Sequence, residues 1–109
     1  MKVSVIAEKL SLKALNEFID KEVEGVYISD MVSDIITGPK ANSILITLQT
    51  NKSIIAAANL VDVAAIVFAR NKKPEDDVIK LAAKAGIGLF FTELDTWSFA
   101  MNLAEIGIK

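Results

Sequence analysis

The stretch S-I-L-I-T-L-Q-T-N-K-S-I-I-A-A-A-N-L-V-D-V-A-A-I-V-F, Ser43 to Phe68, decides the fold. Its first part, Ser43–Leu48, is an apolar, largely β-branched run of strand length. Thr50 or Asn51 then supplies a side-chain oxygen able to cap a helix. Ile54, Ala57, Ala58 and Val61 follow at i, i+3, i+4 and i+7, which puts four apolar side chains on one face of that helix. The small alanines let the helix sit close to a sheet. Val63–Phe68 is apolar throughout, as expected of a strand covered on both faces. Strand, single helix and strand in this order imply a right-handed crossover between parallel neighbours. Asn59 and Asp62 interrupt the apolar run from Ser53 to Ala69, so it reads as helix followed by strand and not as a membrane span.

The pattern continues toward the C-terminus. Pro74 is expected as a first helical residue ahead of Val78, Leu81, Ala82 and Ala85, and Gly86 ends that helix. Ile87–Phe91 reads as another strand. Asp95 can cap a last helix with Trp97, Ala100, Met101 and Ala104 on one face, and Trp97 and Phe99 are expected to pack in the core or a subunit interface. In the other direction, Gly38 and Pro39 stop a helix that runs to about Thr37, with Ser29 or Asp30 expected as its cap. Val23–Ser29 reads as a strand. Val3, Ile6, Ala7 and Leu10 share one face of a short opening helix. The first forty residues are less regular and are expected to add an antiparallel or edge element. No repeat or linker divides the chain, so the expectation is one domain over residues 1–109: a three-layer α/β/α sandwich with a mainly parallel sheet.

Composition narrows the function. A chain of 109 residues, 52% hydrophobic and with a net charge of -2, can build a self-supporting core. Twelve Lys and Arg are scattered among fourteen Asp and Glu, without the basic stripe of a nucleic-acid binder. Cysteine and histidine are both absent. Thiolate nucleophiles, sulfur-ligated zinc and the usual general base near neutral pH are thereby removed, and neither an enzyme nor a cofactor is expected. Met1–Leu10 has no long apolar core or cleavage site of the secretory kind, so the protein is expected in the cytoplasm.

Candidate binding residues come from the loops after the strands, where helix N-termini and their unpaired N–H groups gather. Thr50, Asn51, Lys52 and Ser53 combine a helix start with a cation and hydroxyls, which suits a small anion. The plainer alternative is a capped helix with a solvated lysine. Arg70, beside Lys72 and Lys73, can clamp a phosphate, and Thr92, Asp95 and Thr96 line the loop after the last strand. Asp30, Ser33 and Asp34 share a polar helix face suited to a hard cation or a basic partner, or to nothing beyond capping. The expected ligand is a nucleotide or phosphorylated metabolite. The high apolar fraction favours a homodimer, and a signalling protein is the expected partner.

Several segments resemble one known family: Tyr27-Ile28-Ser29-Asp30-Met31-Val32-Ser33-Asp34, Ile46-Thr47-Leu48-Gln49-Thr50, Ala64-Ala65-Ile66-Val67 and Thr92-Glu93-Leu94-Asp95-Thr96-Trp97. In order and character they are similar to DRTGG-domain proteins, whose fold resembles the N-terminal domain of HPr kinase/phosphorylase. The naming residues differ. Gln49-Thr50-Asn51-Lys52 stands where relatives place Asp-Arg, and Ala69-Arg70-Asn71 where they place Thr-Gly-Gly. The resemblance implies a regulatory module, since such domains accompany phosphotransacetylases and CBS-containing pyrophosphatases. Similar stand-alone proteins occur in anaerobes beside hydrogenase-related and histidine-kinase-like ATPase genes. The serine-kinase label of some relatives does not transfer, because no glycine of this chain opens a G-x-x-x-x-G-K-[ST] phosphate loop.

Overall fold

The computed structural model describes residues 1–109. Four strands, β1 (Gly25–Ile28), β2 (Ser43–Thr47), β3 (Ala65–Phe68) and β4 (Gly88–Phe91), form one sheet in the order β1-β2-β3-β4. Every neighbouring pair is parallel, with Tyr27 beside Leu45, Leu45 beside Ile66, and Ile66 beside Leu89. The helices are α1 (Val3–Lys9), α2 (Val32–Ile35), α3 (Lys52–Leu60), α4 (Asp76–Ala85) and α5 (Thr96–Glu105).

Strand order equals chain order, so each crossover advances in the same direction. Right-handed crossovers that all advance one way lay their helices on one face. That is where α2, α3 and α4 are found: Ile35, Ile54, Ala58, Val78 and Ala82 pack with Leu45, Ile66, Phe68 and Leu89. The flanking helices α1 and α5 cover the other face, where Val3, Ile6, Phe99 and Leu103 meet Ile44, Ile46, Val67 and Phe90. The three layers follow from burial on both sides of β2 and β3, every residue of which is buried. No helix is long and apolar enough to cross a membrane.

Three local expectations are corrected. Pro74 precedes the helix by two residues; the N-cap of α4 is Glu75, and Asp76 and Asp77 fill the first turn, where acids suit the helix dipole. Neither Ser29 nor Asp30 caps α2, whose N-cap is Met31 and which is only four residues long. On α5 the buried residues are Phe99 and Leu103, while Trp97 is 72% exposed. Of the periodic set Trp97, Ala100, Met101 and Ala104, Trp97 and Met101 are exposed and Ala100 packs against the core, so Trp97 is outside the core and only its subunit-interface alternative stands as an expectation.

The irregular N-terminal region has a definite role. Between α1 and β1 the chain runs along the outer edge of β4: Leu15 N–H donates to Leu89 O at 2.8 Å and Ile19 N–H to Gly86 O at 3.0 Å. Asn16 adds a reciprocal pair, donating through Nδ2 to Ile87 O and accepting from Leu89 N–H, both at 2.9 Å. Phe18 packs edge-on against Phe90, with ring centroids 5.6 Å apart. Gly88 makes room for it, since a Cβ there would fall 2.9 Å from Phe18 Cγ. The region is thus a strap closing one sheet edge. The other edge is β1 itself, which is parallel to β2; the only antiparallel pairing is the isolated Lys2–Glu22 bridge.

Candidate functional site

All four strands point the same way, so the loops that follow them emerge along one rim of the sheet. An unreversed strand order provides no switch point at which neighbouring loops part to form a central crevice. The candidate residues are accordingly spread along the rim in three groups.

The middle group gathers at the start of α3. Thr50, Asn51, Lys52 and Ser53 line an open depression of about 470 Å³ together with Glu75, Asp77 and Val78 from the start of α4. Asn51 is the N-cap of α3, its Oδ1 accepting from Ile54 N–H at 3.2 Å. Lys52 and Ser53, the first two helical residues, have no carbonyl one turn back to bond, as at any helix start. Lys52 Nζ lies 3.1 Å from Asp77 Oδ2, with both side chains more than half exposed. Its ammonium holds the Asp77 carboxyl below the usual carboxylate range. An anion entering here therefore competes with Asp77 for Lys52 in the presence of Glu75, an acidic lining that the order of residues along the chain did not reveal.

At one side of this depression are the loops after β3 and β4. Arg70 N–H donates to Leu94 O at 2.8 Å and Asn71 N–H to Thr92 O at 2.6 Å, so the two loops are tied to each other beyond the strand ends. Asp95 caps α5, accepting from Ser98 N–H at 2.7 Å. That bond chiefly, with the positive charge of Arg70 contributing, lowers the Asp95 pKa. Thr92 Oγ1 accepts from Leu94 N–H at 3.2 Å, and Lys73 Nζ stands 4.3 Å above the Phe91 ring. Arg70, Thr92, Asp95 and Thr96 do not line the Lys52 depression. Arg70 and Asn71 both adopt left-handed backbone, with φ of 56° and 58°. The conformation is one that glycine takes freely and that asparagine tolerates better than arginine.

The third group is at β1. Asp30 Oδ1 accepts from Leu48 N–H at 2.7 Å and from Thr47 Oγ1 at 2.8 Å, tying the end of β1 to the end of β2. Asp34 receives the Tyr27 hydroxyl on both carboxylate oxygens at 2.9 Å, and this bond raises the Tyr27 pKa. Ser29, Asp30, Met31 and Asp34 line a second open depression of about 570 Å³, which Ser33 does not reach. Both carboxylates thus have structural partners, and no group of three or more acidic side chains gathers to hold a metal ion.

The family model for the DRTGG domain matches residues 5–106. The chain belongs to the DRTGG-domain family. A solved structure with the same fold contains the CBS and DRTGG domains of the regulatory region of Clostridium perfringens pyrophosphatase, complexed with its activator diadenosine tetraphosphate. It superposes with a TM-score of 0.70 at 21% identity over 91% of this chain, and this chain spans 44% of it. No curated protein matches. In this DRTGG domain Asn51 and Lys52 are the cap and first residue of α3, and Arg70 and Asn71 form the left-handed pair after β3.

Proposed function

We propose that this DRTGG domain is a non-catalytic regulatory module that binds a small anionic ligand or nucleotide at the start of α3, acts as a homodimer and communicates its occupancy to a signalling partner. The observation that carries the reading is the depression at Thr50–Ser53, where a helix start, a cation and two hydroxyls face one space. The nucleotide bound to the pyrophosphatase regulatory region supports the ligand class. Lys52 suits a responsive site because its bond to Asp77 is exposed and exchangeable. Ligand binding would release Asp77 and loosen the link between α3 and α4. Arg70, Thr92, Asp95 and Thr96 fit this reading as a neighbouring rim surface, reached by a ligand extending beyond the depression, and Asp30, Ser33 and Asp34 as a face for a basic partner.

Thermal shift against diadenosine tetraphosphate, ATP, phosphorylated metabolites and magnesium tests the reading, since a ligand that binds only the folded state raises Tm by mass action. A saturable rise is expected in the wild type, with loss of most of it in Lys52→Ala. A flat response over the panel would remove the ligand from the proposal. The exposed Leu94, Trp97 and Met101 near or on α5 favour a second reading, docking of a protein partner without a small ligand. Stoichiometric recovery of a partner unaffected by metabolites would select it.

A further inference from the structure

The sheet has one closed edge and one open edge. The strap closes β4, while β1 has β2 as its single strand partner. Ser29 N–H donates to Ile46 O, which fixes the alternation: Gly25, Tyr27 and Ser29 face β2, and Val26 and Ile28 direct their N–H and C=O groups outward. On and just after this strand two large apolar side chains meet solvent, with Ile28 51% and Met31 63% exposed. Four outward backbone groups flanked by apolar side chains call for an extended strand as occupant.

We propose that a second copy of this chain is that occupant, its β1 pairing antiparallel with this β1 about a twofold axis at Tyr27, so that the two sheets become one. In this register Val26 and the partner's Ile28 exchange both backbone hydrogen bonds, and symmetry repeats the exchange, so all four outward groups are used. Sliding the axis toward Val26 would enlist Glu24, whose N–H already donates to Asn42 O at 2.8 Å. Charge agrees with the antiparallel sense. Lys40 lies across Gly25 at the start of β1 and forms no ion pair, while Asp30 and Asp34 at the far end have no cation beside them. A twofold axis at Tyr27 sets the Lys40 end of each copy against the acidic end of the other. Glu24 shares the Lys40 end, so the backbone bonds fix the register and Lys40 contributes the charge match.

The inference gives an address to the homodimer in the reading above, and its test is independent of ligand binding. Sedimentation equilibrium over a concentration series should give the wild type twice its chain mass of 11.8 kDa. Val26→Pro, which removes an outward donor, and Ile28→Lys, which places a charge on the edge, should each halve that mass with the far-UV circular dichroism unchanged. If Val26→Pro does not fold, Ile28→Lys carries the test, because half of Ile28 is already in water. Trp97→Asp should leave the dimer intact. A monomeric wild type, or a dimer that survives Ile28→Lys, overturns the proposal, and a dimer lost in Trp97→Asp alone would move the interface to α5. A ligand-induced thermal shift that persists in monomeric Ile28→Lys would leave the ligand reading standing by itself.

Discussion

Arg70 shows how a residue other than glycine can be held in left-handed backbone. Its φ of 56° is left-handed, and Asn71 follows with 58°. For an arginine this conformation costs about 1 kcal/mol relative to the right-handed region, whereas asparagine tolerates it better. The carbonyls of Leu94 and Thr92 hold both residues in place through their N–H groups. Arg70→Gly should relieve the strain, and glycine's larger unfolded-state entropy should take back part of the gain. The expected net effect is a stabilisation of about 0.5 kcal/mol in urea denaturation, whereas Ala69→Gly, at a residue outside the left-handed region, should destabilise. A lower urea midpoint for Arg70→Gly would show that the side chain, and not the backbone conformation, matters more at this position.

Among the elements, the strap over β4 is the one that hydrophobic periodicity could not show. Asn16 joins it to Ile87 and Leu89 by two part-buried hydrogen bonds. Asn16→Ala leaves a strand carbonyl and N–H without their partner and should cost about 1–3 kcal/mol, with the Leu89 amide exchanging faster with solvent. Unchanged exchange at Leu89 would mean that the strap's backbone bonds suffice. The central βαβ unit was legible because burial on both faces forces continuous apolar runs, and the predicted Ser43–Leu48 and Val63–Phe68 differ from β2 and β3 only at their ends. The caps Asn51 and Asp95 were legible because few side chains can reach a helix's first N–H groups. The strap, in contrast, satisfies its backbone without a repeating pattern, and the sequence leaves Trp97 between core and interface because a helical period marks a face without saying which way it points. At the site, residue types on neighbouring loops could be read, but the approach of Asp77 to Lys52 depends on how α3 and α4 pack together.

For the molecule as a whole, three exposed carboxylates contribute to stability that acid removes. Asp20, held mainly by the Ser4 hydroxyl, Asp77, held by Lys52, and Asp95, held by Ser98 N–H, all have pKa values lowered from 3.8 in the folded chain. A lowered folded value contributes stability that is present above the unfolded pKa and is lost as pH falls through the folded one. The urea midpoint should therefore be insensitive to these three groups near neutrality and decline below about pH 4. Asp20→Asn should make that decline shallower, and an identical slope would assign it to other groups. The strap has one more consequence, in time. Leu15, Asn16 and Ile19 are made before any of the four strands, whereas their hydrogen-bonding partners Gly86, Ile87 and Leu89 lie at and just before the last of them. During synthesis this segment must wait, bonded to water, while β1, β2 and β3 emerge and can pair in order. Its docking closes the sheet only after Phe91 has left the ribosome, so a segment made before all four strands takes its place after them.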